Sequence, residues 1–518
     1  MTAPNPETRK LSRIGIVGAG NMGTMMSFGF ADNGLDVSLW DVSPQNVDRA
    51  REMAADGPQD TNGKIDHFND IDAFARSLDA QPRKLFVFSI SHGAPADSVL
   101  EKLRDELGEG DIILDGGNEH YRNTERRQEE LRKRGVSWVG MGVSGGYQAA
   151  RRGPSMSPGG DEAAVQLVLP LLEKFAAKSA KDGTPCVQYM GPRGAGHYVK
   201  MIHNGIENGI LSTVCEAWSF LNKSLALPYD EIGDIFEKWN AEGELKNTYL
   251  IQIGSEICRR KRTPAGDERG EGKGEGGYVL DDVLDKVVQD DDDTEGTLYW
   301  SIMEAADRHV SAPTIAAGQF FRVASGNRAQ RLKVAEKMNV PKPRKADVED
   351  KDALIETLRK AVYASFLASF CQGLELIARA SKDEGWGINL AKCIQIWRAG
   401  CIIQEDHIAD MLEPILLNAK EPIMNIKLID EVSSDLQKNF QPLKEIVLKG
   451  IQWDNYVPSL SATLEYLKYV GGGMLATQFM EAEMDFFGAH SFDRPNVPGE
   501  DPGRPKKGSH HYEWRPAA

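Results

Sequence analysis

The segment GAGHYVKMIHNGIENGILSTVCEAW, residues 194–218, brings Lys200, His203, Asn204 and Glu207 within two turns of chain. Apolar Val199, Ile202, Ile206, Ile210 and Val214 recur at spacings of three and four, which predicts a helix with one buried stripe. At about 100° per residue the four polar residues form a second stripe beside it, with Lys200 and Glu207 only about 20° apart. An amine and a carboxyl on one face are the parts of a proton acceptor and a proton donor, so the stripe reads as acid–base machinery. The same spacing also suits a surface ladder of charges. Gly205 and Gly209 favour the acid–base reading, because glycine weakens a helix unless something must approach it closely.

A second motif lies at the other end of the chain. Gly18, Gly20 and Gly23 form G-x-G-x-x-G, with Asn21 and Met22 inside it, directly after the β-rich run RIGIV and before a helix-compatible stretch. Gly18 would make the tight turn, Gly20 would admit a pyrophosphate and Gly23 would let helix and strand touch, with the helix N-terminus facing the anion. The next run, LDVSLWD, ends at Asp41, where a carboxylate can accept hydrogen bonds from both ribose hydroxyls and would repel a 2′-phosphate. Val42, Ser43 and Pro44 supply no arginine, so the expected cofactor is NAD, with NADP disfavoured. The alternative is that Asp41 merely caps the following helix.

Two elements must position these groups. From Leu11 to about Gly146, the runs RIGIVG, LDVSLWD, KLFVFSIS, DIILDGG and VSWVGMGV alternate with helical stretches, the signature of a mostly parallel, doubly wound α/β sheet. After Pro192 long helical periodicity takes over. The expected domains are a dinucleotide-binding α/β domain over residues 1–192, a large all-helical domain over 193–490 and a C-terminal tail over 491–518. The stretches 263–279, 289–296 and 340–352 read as surface loops. The tail is rich in proline, glycine and charge, so it is expected either to be disordered or to order on another surface.

The 518 residues, 41% hydrophobic and 27% charged, describe a globular chain of more than one domain. A net charge of −16 argues against nucleic-acid and anionic-membrane partners. The start, MTAPNPETRK, has no secretory pattern and no window approaches 18 consecutive apolar residues, so a cytoplasmic protein is expected. The six cysteines are scattered and read as reduced, mostly buried thiols. No metal site is expected; Asp290 to Asp293 and the pair His510–His511 read as a solvated loop and a polar tail.

With GVSGG (142–146), LDGGN (114–118), GPSMSPGG (153–160), WRAGCII (397–403) and FFGAH (486–490), the segment around Lys200 resembles the decarboxylating 6-phosphogluconate dehydrogenases, within the β-hydroxyacid dehydrogenases. The resemblance runs in order from about Leu11 to His490. It implies a Rossmann domain followed by a large helical domain, in a homodimer whose tail reaches into the partner. It implies that Lys200 takes the proton from the C3 hydroxyl of a sugar acid while hydride leaves for the nicotinamide, and that Glu207 protonates C1 after decarboxylation. Asn118, Ser144, Gly145, Gly146, His203 and Asn204 match positions that hold the carboxylate and hydroxyls of the substrate.

The resemblance breaks at the substrate's phosphate. Arg322 and His490 still match family positions that grip it. Asn208 stands where the family has Tyr, Glu295 where it has Lys, and Met484 where it has a second Arg. Loss of cations and gain of an anion argue against a dianion there. The leading expectation is therefore an NAD-dependent oxidative decarboxylase of a sugar acid with an altered or non-phosphorylated substrate. The alternatives are a 6-phosphogluconate dehydrogenase of the pentose phosphate pathway giving ribulose 5-phosphate, oxidation of a β-hydroxyacid without loss of CO₂, and an NAD-sensing regulatory paralogue without turnover.

Overall fold

The computed structural model describes residues 11–56, 62–262, 277–287, 297–503 and 508–516. The first part runs β1 (Arg13–Val17), α1 (Asn21–Asp32), β2 (Asp36–Trp40), α2 (Pro44–Asp56), β3 (Ile65–Phe68), α3 (Ile71–Arg76), β4 (Leu85–Phe88), α4 (Ala94–Lys102), β5 (Ile112–Asp115), α5 (Tyr121–Arg132), β6 (Ser137–Val143), α6 (Gly146–Arg152), β7 (Met156–Gly159) and α7 (Glu162–Phe175). The strands form one seven-stranded sheet in the order β3-β2-β1-β4-β5-β6-β7. All pairs are parallel except β6 with β7. Ile14, Leu39 and Val87 face one buried layer and Val17, Phe86 and Ile113 the other. Burial on both faces is why these strands read as unbroken apolar runs.

Two strands carry no such run. β3, with the sequence IDHF, is a half-buried edge strand. β7, with the sequence MSPG, holds a proline at the opposite edge, the place a sheet tolerates one. Chain order reverses between β1 and β4, so the crevice at the C-terminal ends of those strands is where such a sheet receives a ligand.

The second part is helical: α8 (Ala195–Ser219), α9 (Tyr229–Ala241), α10 (Tyr249–Arg259), α11 (Tyr299–Asp307), α12 (Pro313–Gly326), α13 (Arg328–Met338), α14 (Lys351–Glu384), α15 (Leu390–Ile396), α16 (Asp406–Asn418), α17 (Asp430–Gln452), α18 (Pro458–Val470) and α19 (Thr477–Gly488). Helix α14 is long and apolar enough to cross a membrane, but 94% of its apolar window is buried inside the fold, as in a core helix. Asp350 caps its start by accepting from Ala353 N at 2.9 Å, and Gly385, at φ +69°, ends it. Most of the 340–352 stretch is irregular, its last two residues opening α14. Most of 263–279 and all of 289–296 lie outside the described residues.

The chain divides into two compact units, Met1–Thr463 and Leu464–Ala518. In the second, the tail is tied to α19. Asp485 of α19 is fully buried and accepts from Ser491 N, His511 Nδ1, Tyr512 N and Trp514 Nε1. Burial alone would raise this carboxyl; the donors outweigh it and hold the group below the usual range. A bridge between Phe492 and His510 closes the loop. One buried charge thus anchors residues that have no core of their own.

Candidate active site

Two of the motif glycines have a steric reason to be glycine. Gly18 turns with φ +105°, and a Cβ there would lie 2.3 Å from the Ser89 carbonyl oxygen. A Cβ on Gly23 would lie 1.8 Å from the Gly18 carbonyl oxygen, so α1 and its turn can touch only through glycine. Gly20 faces open space, which leaves its backbone approachable. Asn21 and Met22 open α1, with their amides at its positive end. A dinucleotide pyrophosphate fits this cradle.

Asp41 is engaged by its own chain on both carboxylate oxygens. Its Oδ2 accepts from Ala19 N at 2.6 Å, and its Oδ1 accepts from Ser43 N at 2.8 Å and Asn46 Nδ2 at 3.3 Å. Asp41 therefore ties the turn before α2 to the Asn46 side chain in its first turn without accepting from a backbone amide of that helix. A carboxylate oxygen has two acceptor positions, so Oδ2 keeps one for a ligand.

The polar stripe of α8 is buried, not a surface ladder. Lys200, His203 and Asn204 are 8%, 0% and 7% exposed. What buries them is the close approach of α8 to the sheet. A Cβ on Gly142 of β6 would lie 2.2 Å from Lys200 Cβ, and one on Gly196 would lie 2.2 Å from the Gly140 carbonyl oxygen. His197 pins the helix between the domains, with Nδ1 at 2.6 Å from Thr124 Oγ1 and Nε2 at 3.0 Å from the Asp115 carbonyl. Gly205 and Gly209 play a different part from the one expected. Their close neighbours are Ser301 of α11 and Ser369 of α14, so they admit packed helices and not a ligand.

Lys200 Nζ donates to Ser144 Oγ at 2.9 Å and lies 3.5 Å from His203 Nδ1. Burial lowers the Lys200 amine from its ordinary range, with Glu207 and Cys401 working against the shift. Burial, reinforced by Lys200, pushes the His203 imidazole well down, against a hydrogen bond with Asn204, so it stays neutral. Its Nε2 is buried without a hydrogen-bond partner among the described residues. Glu207 Oε2 lies 3.8 Å from His203 Nδ1, and burial raises this carboxyl against the pull of Lys200 and Arg322. The base is lowered and the acid is raised, the arrangement that acid–base chemistry near neutrality requires.

A cavity beside this pair is lined by Asn118, Glu119, Lys200, Met201, Asn204, Thr297 and Trp300. Asn204 Nδ2 reaches toward Asn118 Oδ1 at 3.5 Å, across the two domains. Ser144 is buried, and Gly145 and Gly146 follow it with φ of +95° and +67°. Thr297, Trp300, Met201 and Glu119 were not singled out in the sequence. Thr297 and Trp300 sit in the EGTLYW segment that carries Glu295, which was the available signal.

The positions around the expected phosphate end divide. Asn208 is buried and donates Nδ2 to Gln319 Oε1 at 3.0 Å, so its amide is engaged with α12. Arg322 lies one turn further along α12, close enough for its charge to act on Glu207. Met484 and His490 belong to the second compact unit, and Glu295 lies outside the described residues. So do Asp290 to Asp293, while His510 and His511 pair with Glu500 and Asp485.

Comparison with known proteins gives two family matches that together span most of the chain. Residues 13–191 match the NAD binding domain of 6-phosphogluconate dehydrogenase, and residues 196–514 match the 6-phosphogluconate dehydrogenase C-terminal domain. A decarboxylating 6-phosphogluconate dehydrogenase of Emericella nidulans is 59% identical over 500 residues, covering 96% of this chain and 100% of that one. An NAD(+)-dependent, decarboxylating enzyme of Bacillus subtilis is 35% identical over 487 residues, covering 94% and 97%. Among solved structures, a Plasmodium falciparum 6-phosphogluconate dehydrogenase superposes with a TM-score of 0.82 at 29% identity, covering 97% of this chain and 100% of that one.

Proposed function

The chain belongs to the 6-phosphogluconate dehydrogenase family, and from that membership we propose that it oxidatively decarboxylates 6-phosphogluconate to ribulose 5-phosphate. The observation that carries the reading is the buried Lys200, 2.9 Å from Ser144 and 3.5 Å from His203, with the raised carboxyl of Glu207 two turns beyond on the same helix face. This departs from the leading expectation of an altered substrate. A relative at 59% identity bearing the 6-phosphogluconate dehydrogenase name outweighs three unlike positions at one end of the site.

The dinucleotide, when bound, supplies the hydride acceptor, and the Gly18, Gly20 and Gly23 turn with the amides of Asn21 and Met22 would hold its pyrophosphate. Lys200, whose amine is lowered by burial, takes in its neutral form the proton of the C3 hydroxyl as the C3 hydrogen leaves with its electron pair. The resulting ammonium donates to the new keto oxygen, which draws in the electron pair released when C1 departs as CO₂. Glu207, whose carboxyl is raised, then delivers a proton to the carbon that lost CO₂. Ser144 fixes the lysine amine, while neutral His203, Asn204 and Asn118 are placed to bind hydroxyls and Gly145 and Gly146 to admit the carboxylate. Arg322 would receive the phosphate, and in the proposed homodimer each chain's His490 would serve its neighbour's site.

NAD as the preferred cofactor belongs to the same proposal, supported by Asp41 and by the lack of a nearby arginine in Val42, Ser43 and Pro44. So do a cytoplasmic location and a homodimer in which residues beyond Ser491 dock on the partner. Light scattering should give a dimer, and His490→Ala should raise KM for the phosphorylated substrate. An active monomer would reject the assembly.

A second reading, a non-phosphorylated aldonic acid, is favoured by the engaged amide of Asn208 and by Met484. The deciding experiment supplies purified protein with NAD or NADP and either 6-phosphogluconate or gluconate, following reduced cofactor and CO₂ together. Higher kcat/KM for 6-phosphogluconate supports the proposal. Preference for gluconate supports the second reading, and dinucleotide binding without turnover supports a regulatory protein.

A further inference from the structure

Arg127 of α5 is fully buried, and its guanidinium joins two loops at the C-terminal edge of the sheet. Nη2 donates to the Gly93 carbonyl at 2.8 Å in the loop after β4. Nη1 donates to Glu119 Oε2 at 2.6 Å in the loop after β5, and Nε donates to Asp97 Oδ1 at 2.8 Å. Glu119 closes the ring, because its Oε2 also accepts from Gly93 N at 2.7 Å. Its Oε1 accepts from His120 N at 2.8 Å and Asn123 Nδ2 at 3.0 Å. With four donors on two oxygens the carboxylate has no acceptor position left for a ligand, although the residue lines the cavity.

These loops carry groups that face the reaction. The residue before Gly93 is His92 and the residue after Glu119 is His120; their rings lie edge-on to Trp300 at 5.1 and 5.0 Å. The residue before Glu119 is Asn118, which reaches Asn204 beside Lys200. The loop after β4 also abuts the glycine turn, since Ser89 O blocks any side chain at Gly18. A buried ion pair is a poor source of stability, because desolvation cancels most of its attraction. A guanidinium fork does hold its partners at one fixed geometry.

We propose that Arg127 and Glu119 are positioning residues for hydride transfer, fixing the β4 and β5 loops so that the dinucleotide and the Asn118–Trp300 wall stand at one distance from Lys200. This rests on the dehydrogenase reading above. A displacement of about 1 Å can cost about 100-fold in rate, so loosening the loops should show in chemistry before it shows in fold.

The test compares wild type with Glu119→Gln and Arg127→Lys, and uses Glu216→Gln as a stability control. Glu216 is a buried carboxylate accepting from Ser459 N and Leu460 N, away from these loops. The readouts are the dissociation constant of NADH by fluorescence, kcat and KM, and the isotope effect with C3-deuterated 6-phosphogluconate. Both loop variants should bind NADH about tenfold more weakly, lose about 10- to 100-fold in kcat and show a larger isotope effect. Glu216→Gln should change thermal stability alone. Binding and isotope effect within about twofold of wild type in a folded Glu119→Gln protein would overturn the proposal, whatever becomes of Arg127→Lys. A wild type that binds NADH but turns over no aldonic acid would reject the proposed function, and the NADH measurement would still decide this one.

Discussion

Replacing Lys200 by Met removes the amine while keeping an unbranched side chain whose stem packs against Gly142. Loss of a general base costs about 10² to 10⁴ in rate, or about 3 to 5 kcal/mol at 1.36 kcal/mol per factor of ten. The structure sets the expectation within that range. The nearest substitute base is His203 Nδ1, 3.5 Å from the amine. Its imidazole is neutral, and removal of the Lys200 charge relieves one of the two causes that depress it. A residual hydride-transfer rate about 10³ below wild type is therefore expected, with a further loss in Lys200→Met/His203→Ala. Lys200→Arg keeps the charge but cannot shed its proton, so it should be as slow as Lys200→Met if the amine acts as a base. Single-turnover formation of reduced cofactor measures this, with dinucleotide binding expected to be unchanged because the proposed pyrophosphate cradle is the Gly18 turn and not α8. In wild type, kcat/KM should fall as pH drops through the lowered Lys200 value, because protonation removes the base, and that limb should vanish in Lys200→Met. Near wild-type hydride transfer in Lys200→Met, or retained activity in Lys200→Arg, would refute the assignment.

Glu207→Gln should leave single-turnover hydride transfer nearly intact but slow product formation by about 10² or more, because it removes a proton donor used only after CO₂ departs; equal loss in both steps would place Glu207 elsewhere in the reaction. Asp41→Asn should narrow the NAD over NADP preference in kcat/KM by about 10- to 100-fold, the worth of a hydrogen bond to a charged group, while Asp41→Ala should weaken both cofactors by freeing Ala19 N. Gly142→Ala should destabilise by about 1 to 3 kcal/mol through overpacking against Lys200 and Ser157. Its thermal midpoint and its activity should fall together, and an unchanged midpoint would show that α8 can shift away from β6.

Much of this protein is legible in its sequence because short-range physics writes it there. Strands buried on both faces must be continuous apolar runs, so β1, β2, β4, β5 and β6 announce themselves, and a turn that admits no Cβ must be glycine, so Gly18 and Gly23 mark the cofactor end. Helical periodicity likewise places Lys200 and Glu207 on one face before any coordinates exist. Periodicity cannot say what covers that face, and the same four residues would serve equally as a surface ladder. Burial decides it, through contacts between residues far apart in the chain: Gly142 against Lys200, Ser144 to the amine, His197 to Thr124. The lowered amine and raised carboxyl exist only because β6, α8 and the Cys401 turn exclude water from one small volume. The roles of Gly205 and Gly209, the double duty of Asp41, the ring that ties Arg127 to Glu119 and the self-anchored tail were likewise invisible, since each depends on which distant atom arrives, and a one-dimensional pattern carries no record of that.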